Sequence, residues 1–259
     1  MNNPLSWLAL VALDQPMLPE FETLTLTLQS NFDGVAELTA AGSTESLLTG
    51  SFGENTIAVT LVTRPIPASQ LEGPCATAWY WPEATESLRD HPAHLLITMV
   101  DEGGRALDKC KQLTQLTTAL VIDSPACGVF WGPGRLIHEP STFVDQARQM
   151  TDESLPLFLW IDFRIEQMPD ESLRLFTTGL TALGQNELEV SGFQGEPQQL
   201  LDHCYNVAYY LLDQAKVVSD GDTLGLTDQL QVTASRRPSM FDEQLEVIAL
   251  DFQPVADDC

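Results

Sequence analysis

The chain has 259 residues and a mass of 28.5 kDa, enough for one large domain or two small ones. Its 37 acidic residues against 12 basic ones give a net charge of −25, which repels phosphate backbones and anionic headgroups. Nucleic acid and membranes are therefore excluded as expected partners. The same charge favours a basic protein partner, which it would attract at long range. Acidity that serves only solubility is the alternative interpretation.

Five cysteines are scattered along the chain without any Cys-x-x-Cys pair. This spacing indicates small core residues in a reducing compartment rather than a zinc site or a disulfide framework, so we expect a cytoplasmic protein. The apolar run at residues 7–13 is too short to span a membrane, and no Lys or Arg precedes it. We therefore expect neither a signal peptide nor a membrane segment.

Short apolar runs and period-two alternation predict the strands. In chain order, they cover residues 7–13, 46–52, 56–63, 93–100, 127–131, 157–165, 173–178, 187–193, 224–236 with a turn inside, and 245–252. Apolar residues at helical spacing predict helices at residues 20–30, 83–90, 105–122, 140–150 and 196–214. The first helix contains LTLTLQS, whose alternation also permits a strand. We expect the stretches 31–50, rich in Gly, Ser and Thr, and 64–93, rich in Pro, to be partly irregular.

The order of these elements predicts the fold class. Alternating strands and helices with several direct strand-to-strand steps predict an α+β fold, with mixed or antiparallel sheets and helices packed on them. An echo between NTIAVTLVTRP at residues 55–65 and DQLQVTASRRP at residues 228–238 suggests two related β-α-β-β units. We expect a single α+β domain over residues 1–259. Two closely packed subdomains, about 1–92 and 93–259, are the alternative.

The stretch CGVFWGPGRLIHE, residues 127–139, combines three glycines and a proline with a tryptophan. It lacks the Lys and Ser or Thr of a phosphate loop and the third glycine of a dinucleotide fingerprint. Its central Pro133 also removes an amide that a phosphate would use. We interpret the stretch as a tight turn at a strand end with Trp131 packed over it. Arg135 and His138 are candidates for contact with a partner.

The aromatic run Trp79-Tyr80-Trp81-Pro82 lies within the proline-rich stretch. Tryptophan and tyrosine are frequent anchors of protein interfaces, so the run is interpreted as a recognition patch or, alternatively, as a plug of the core beneath a loop. Trp79, Trp81 and Trp131, together with the two candidates of the preceding turn, form the set of expected interface residues.

No catalytic residue is assigned from the sequence. The Gly-x-Ser-x-Gly elbow of serine hydrolases is absent. Cys204 follows His203 directly, so the two side chains would point apart on a helix. The pair His91-x-x-His94 spans a proline and lacks the helical spacing of zinc sites. The stretch VVSDGDTLGLTD, residues 217–228, resembles a calcium loop only loosely. We expect no metal and no cofactor.

Several stretches together resemble an uncharacterised bacterial family known only as a domain of unknown function. They are GVFW at 128–131, TTGL at 177–180 leading to ELEV at 187–190, and GDTLG at 221–225 leading to RPSMF at 237–241. The resemblance covers the chain from about residue 56 to its end. Because it rests on turn and core residues, it implies a shared fold and transfers no catalytic residue. It also implies a link to toxin and contact-dependent competition genes, and hence an immunity role.

Taken together, these features predict a non-enzymatic, acidic, protein-binding module, such as an immunity-type inhibitor of a basic toxin or effector. A hydrolase that uses carboxylates or a divalent metal is one alternative, motivated by the histidine pair and the aspartate-rich stretch. A structural subunit of a larger assembly is the other. The oligomeric state is left open.

Overall fold

A computed structural model describes residues 7–100, 103–214, 218–227 and 230–254. The chain forms an α+β fold that divides into two compact units, with unit 1 ending at Trp160 and unit 2 beginning at Ile161. No helix in this part of the chain is long and apolar enough to cross a membrane.

Unit 1 contains seven strands and six helices among its described residues. The strands are β1 (Trp7–Leu13), β2 (Leu38–Ser43), β3 (Leu47–Phe52), β4 (Asn55–Val62), β5 (Ala93–Val100), β6 (Ala126–Trp131) and β7 (Leu136–His138). The helices are α1 (Phe21–Asn31), α2 (Ala68–Thr77), α3 (Ala84–Ser87), α4 (Ala106–Ile122), α5 (Pro140–Arg148) and α6 (Leu157–Trp160).

The strands of unit 1 form one antiparallel sheet in the order β2-β3-β4-β5-β1-β6-β7. Strand β1 lies between β5 and β6 inside the sheet, which explains why its sequence is continuously hydrophobic. Ala9, Val11 and Leu13 are fully buried, and α4 packs against this strand. Leu10 and Ala12 alternate with them and join an apolar cluster that includes residues of α2 and α3.

Helix α1 settles the ambiguity of LTLTLQS. Leu24 and Leu28, four residues apart, are buried, whereas Leu26 between them is 64% exposed. A strand would have placed all three leucines on one face. The hydroxyl of Thr25 also donates to the carbonyl of Phe21, one helical turn earlier (3.0 Å).

Unit 2 contains six strands and one long helix among its described residues. The strands are β8 (Asp162–Gln167), β9 (Leu173–Thr178), β10 (Leu188–Phe193), β11 (Thr223–Thr227), β12 (Leu230–Pro238) and β13 (Glu246–Pro254), and the helix is α7 (Pro197–Asp213). The sheet order is β11-β12-β13-β10-β9-β8, and only the β10–β13 pair is parallel. The predicted fold class, α+β with mixed or antiparallel sheets, is therefore confirmed.

Helix α7 begins and packs as its sequence predicts. Pro197 occupies the first turn, and Glu196 forms a capping box with Gln199. Leu200 and Cys204 lie on the buried stripe that packs towards β8, β9 and β10.

Four elements differ from the sequence prediction. The expected strand at 157–165 is a helical turn, α6, followed by strand β8. Helix α2 and the short strands β2 and β7 lie in stretches that we expected to be turn or partly irregular structure. The divide between the units also lies at 160/161 rather than near residue 92, because β5 pairs with β4 and β1 in the middle of the first sheet.

The echoed segments occupy β4 and β12, each of which pairs with two antiparallel neighbours. The two sheets differ at their centres, however. Strand β1 runs antiparallel to β5, whereas β10 runs parallel to β13. A duplication of the two units stays a prediction.

Candidate protein-interaction site

The stretch CGVFWGPGRLIHE forms a hairpin in which β6 and β7 pair through Trp131 and Leu136. A Cβ atom on Gly132 would lie 2.6 Å from the carbonyl oxygen of Leu8, and one on Gly134 would lie 2.4 Å from that of Trp160. Only glycine allows such close approach of two backbones. The interpretation as a tight turn at a strand end is confirmed, and the chain resumes as β7.

An unbroken series of aromatic rings runs from this hairpin to the surface. Trp131 packs against Phe143 with ring centroids 6.2 Å apart, and Phe143 packs against His138 at 5.7 Å. His138 stacks on Tyr80 at 6.0 Å, and Tyr80 contacts Trp79 edge-on at 5.7 Å. The aromatic run at 79–81 and the hairpin are thus parts of one packed arrangement.

His138 is buried within this series and holds a fixed tautomer. Its Nε2–H donates to the carbonyl of Leu159 (3.2 Å), which can only accept. Burial lowers the pKa of His138 to about 4, outweighing the opposite effect of the hydrogen bond. The imidazole is therefore neutral at physiological pH and acts as an aromatic spacer.

Trp79 ends the series and is 74% exposed. The hydroxyl of Tyr80 donates to the carbonyl of Ile137 (2.9 Å), which fixes the run to the edge strand β7. The backbone N–H of Trp79 donates to the carbonyl of Thr77 (2.9 Å). We call Trp79 and Tyr80 the aromatic corner. The exposed indole of Trp79 packs on Tyr80, which in turn stacks on the buried His138.

The five predicted interface residues therefore separate into two groups. Trp81, Trp131 and His138 are buried, so their predicted role as contact residues is corrected to that of internal support. Trp79 and Arg135 are exposed. Arg135 adopts a left-handed backbone conformation (φ 52°) in the hairpin turn, which directs the strand reversal.

An apolar groove of about 610 Å³ lies between α2, α3 and the segment just before α2. Ile66, Leu71 and Leu88 belong to its lining. Exposed carboxylates surround this part of the chain: Glu72, Glu83, Glu86 and Asp90. The one arginine in the lining, Arg89, forms an ion pair with a carboxylate one turn away. The groove is thus apolar, and its exposed carboxylates precede and follow the aromatic corner in the sequence.

The histidine pair that motivated a metal site has structural partners. His91 donates from Nδ1 to the carbonyl of Leu88 (2.7 Å) and accepts at Nε2 from the N–H of Ile66 (2.8 Å). His94 donates from Nδ1 to the carbonyl of Arg64 (2.8 Å), and burial lowers its pKa. No group of three or more potential metal ligands is found among the described residues.

The described aspartates of the stretch 217–228 organise the turn that precedes β11. Asp222 accepts from the N–H of Ser219 (2.9 Å), and Asp220 accepts from the N–H of Arg236 (3.1 Å). Asp228 lies outside the described residues. The two aspartates that the structure describes thus satisfy backbone donors.

The described cysteines are unpaired thiols. Burial raises the pKa of Cys110 and Cys204 well above the usual range. Burial, followed by the nearby Asp14 carboxylate, raises the pKa of Cys127 to about 12. These thiols stay protonated at neutral pH, which is the inert rather than the nucleophilic form.

In unit 2, a buried carboxylate organises the TTGL turn. Glu187 accepts hydrogen bonds from the hydroxyl of Thr177 (2.7 Å) and from the N–H groups of Gly179 (2.9 Å), Leu180 (3.2 Å) and Thr181 (2.9 Å). Four donors converge on one side chain, which compensates for the burial of its charge.

A second buried carboxylate, two residues later, holds the RPSMF turn. Glu189 is 2% exposed and accepts from the hydroxyl of Ser239 (2.5 Å) and from the N–H of Met240 (3.2 Å). Arg237 lies 3.7 Å from the same side chain. The ELEV strand thus ties two distant turns to the sheet of unit 2.

These turns lie in the part of the chain that resembles known sequences. Residues 176–251 match a family described as a domain of unknown function (DUF4261). The resemblance to an uncharacterised family is confirmed over this segment, which runs from β9 to β13 within unit 2. The GVFW stretch lies outside it. No curated protein and no solved structure matches the chain.

Sequence reasoning identified ELEV as part of a motif but gave its glutamates no role. Glu187 and Glu189 alternate with Leu188 and Val190, so they face the same side of the chain. Two glutamates within a short apolar strand, near glycine- and serine-containing turns, are the signal that indicates buried carboxylates with backbone partners.

Proposed function

We propose that this chain is a non-enzymatic protein-binding module that binds a basic partner through the aromatic corner. The observation that carries the proposal is Trp79, an exposed indole at the end of a buried series of aromatic rings. Tryptophan in interfaces contributes far more binding energy than its share of the area. A supported ring also loses little conformational entropy on binding, which favours affinity.

The charge of the chain supports a basic partner. The exposed carboxylates of Glu72 and Glu83 lie on either side of Trp79 in sequence, and the whole chain has a net charge of −25. Complementary charge speeds association and selects against acidic competitors. An immunity-type inhibitor of a basic toxin or effector is the specific form of this proposal, and the implied link of the family to toxin genes favours it. The unpaired cysteines support a reducing, cytoplasmic location.

Affinity capture from the native host tests this function. The wild-type chain, Trp79→Ala and the control Leu26→Ala are used as baits at low and at high salt, since Leu26 is an exposed leucine of the same unit. We expect a basic protein that wild type and Leu26→Ala retain, that salt releases, and that Trp79→Ala retains at least about tenfold less. Equal retention by Trp79→Ala, or no salt-sensitive protein at all, contradicts the proposal.

A further inference from the structure

Unit 2 carries a separate exposed apolar surface on the connection between β12 and β13. We call residues 239–245 the Met-Phe loop. Its Met240 is 41% exposed and its Phe241 is 53% exposed, and Leu245 at its end is exposed as well. Large apolar side chains gathered on one short loop mark an interaction surface more often than scattered single residues do.

The Met-Phe loop is held in one conformation by hydrogen bonds. The buried carboxylate of Glu189 binds its first two residues, as described above. The N–H of Ser239 donates to the carbonyl of Leu245 (2.8 Å), and the N–H of Phe241 donates to the hydroxyl of Ser239 (3.1 Å). The loop is thus closed on itself and fixed to the sheet while its apolar side chains face solvent.

The ring of Phe241 is also fixed. It packs on Phe176 with centroids 4.5 Å apart, and the guanidinium of Arg174 lies 5.3 Å from its centroid. Arg174 in turn donates from Nε to Glu166 (2.7 Å), so its charge is balanced within the unit. An exposed ring that is already immobilised pays little entropy on binding.

A cleft of about 350 Å³ opens beside this ring. Met240 lines it together with Met168, Ser172, Arg174 and Gly192. The cleft is large enough for one or two side chains of a partner. Four exposed carboxylates belong to the cleft and the loop, and they form no ion pair with the described cations. Asp170 lines the cleft, Glu171 follows it in sequence, and Asp242 and Glu243 lie within the loop.

We propose that the Met-Phe loop and its cleft bind a short protein segment in which a large apolar side chain is flanked by Lys or Arg. The apolar side chain would contact Phe241 and Met240 and enter the cleft. The flanking cations would face the four carboxylates, which a neutral or acidic segment would leave unpaired. This surface is distinct from the aromatic corner and does not depend on it.

A displayed library of random linear peptides of about 12 residues is the probe. Peptides are selected on the full-length wild-type chain, and their affinities are then measured on variants. We expect the enriched peptides to carry an aromatic or aliphatic residue next to Lys or Arg. Phe241→Ala and Met240→Ala each weaken binding at least about tenfold. Glu243→Gln weakens binding less and reduces its dependence on salt.

Leu26→Ala, at an exposed leucine of unit 1, serves as the control and leaves these affinities unchanged. The losses in Phe241→Ala and Met240→Ala are measured with peptides alone, so the result is independent of the proposed function. Hydrogen exchange of residues 239–245 shows that each variant keeps the loop folded. Enriched peptides that are acidic or lack basic residues overturn the proposal, as do variants of Phe241 and Met240 that both bind like wild type. Self-association of the wild-type chain that Phe241→Ala abolishes also overturns it, because a second copy then covers the loop.

Discussion

The carboxylate of Glu187 accepts a hydrogen bond from the hydroxyl of Thr177, 2.7 Å away, across neighbouring parts of the unit 2 sheet. The same carboxylate accepts three backbone N–H groups of the turn that follows Thr177. Both residues lie in the segment that matches the domain of unknown function. The TTGL and ELEV stretches are therefore joined by hydrogen bonds into one structure. Two of the stretches that carry the family resemblance are thus in direct contact.

Glu187→Ala is expected to destabilise unit 2 strongly. The substitution leaves buried donors without an acceptor, and each such loss costs about 1–3 kcal/mol. We expect a decrease of at least about 3 kcal/mol in the free energy of unfolding, measured by urea denaturation with far-UV circular dichroism. The exposed control Glu243→Ala is expected to change it by less than about 0.5 kcal/mol. A decrease below about 1 kcal/mol for Glu187→Ala would show that the carboxylate does not organise the turn.

Gly134→Ala is expected to destabilise the β6–β7 hairpin, because the added methyl group would lie 2.4 Å from the carbonyl oxygen of Trp160. We expect a loss of about 2–3 kcal/mol. The control Gly73→Ala, in α2 with open space around it, is expected to be neutral or stabilising by up to about 1 kcal/mol. Tryptophan fluorescence follows both, since all five tryptophans of the chain precede residue 161. Equal effects of the two substitutions would contradict the packing role of Gly134.

The buried His138 predicts a loss of stability in mild acid. Its pKa is about 4 in the folded chain and 6.5 when unfolded, so the unfolded chain binds the proton more tightly. Its contribution is complete above about pH 6.5 and declines as the pH falls towards 4, by roughly 3 kcal/mol in all.

His138→Phe, which keeps an aromatic ring against Tyr80 and Phe143, isolates this effect. Urea denaturation of both proteins at several pH values between 7 and 4 gives the difference in slope. We expect the wild-type chain to lose more stability over this range than the variant. Parallel curves would mean that His138 titrates normally in the folded chain.

Most elements follow from the sequence because their local signals agree with their packing. Helix α7 is an example, with a proline in its first turn and an apolar stripe on one face. The stretch at 157–165 shows the limit of such reasoning. It reads as one apolar strand, but the chain forms a helical turn whose Trp160 donates from Nε1 to the hydroxyl of Thr114 in α4 (2.9 Å). A tertiary hydrogen bond of this kind leaves no periodic signal in the sequence.

The candidate site was predictable only in part. The sequence drew attention to Trp79, Trp131 and His138, but it could not show which rings would be buried. That outcome depends on the pairing of β6 with β1 and on the packing of Tyr80 against His138, both of which join residues far apart in the chain. Glu189 was missed for the same reason, because its partners lie about fifty residues away.

Calorimetric titration of the purified partner at low and high salt tests most directly whether Trp79 is the binding anchor for a basic partner. We expect Trp79→Ala to raise the dissociation constant at least about tenfold, while that of Leu26→Ala stays within about twofold of wild type. We also expect the affinity of the wild-type chain to fall as salt is added. A Trp79→Ala variant that binds as tightly as wild type would contradict this role of Trp79.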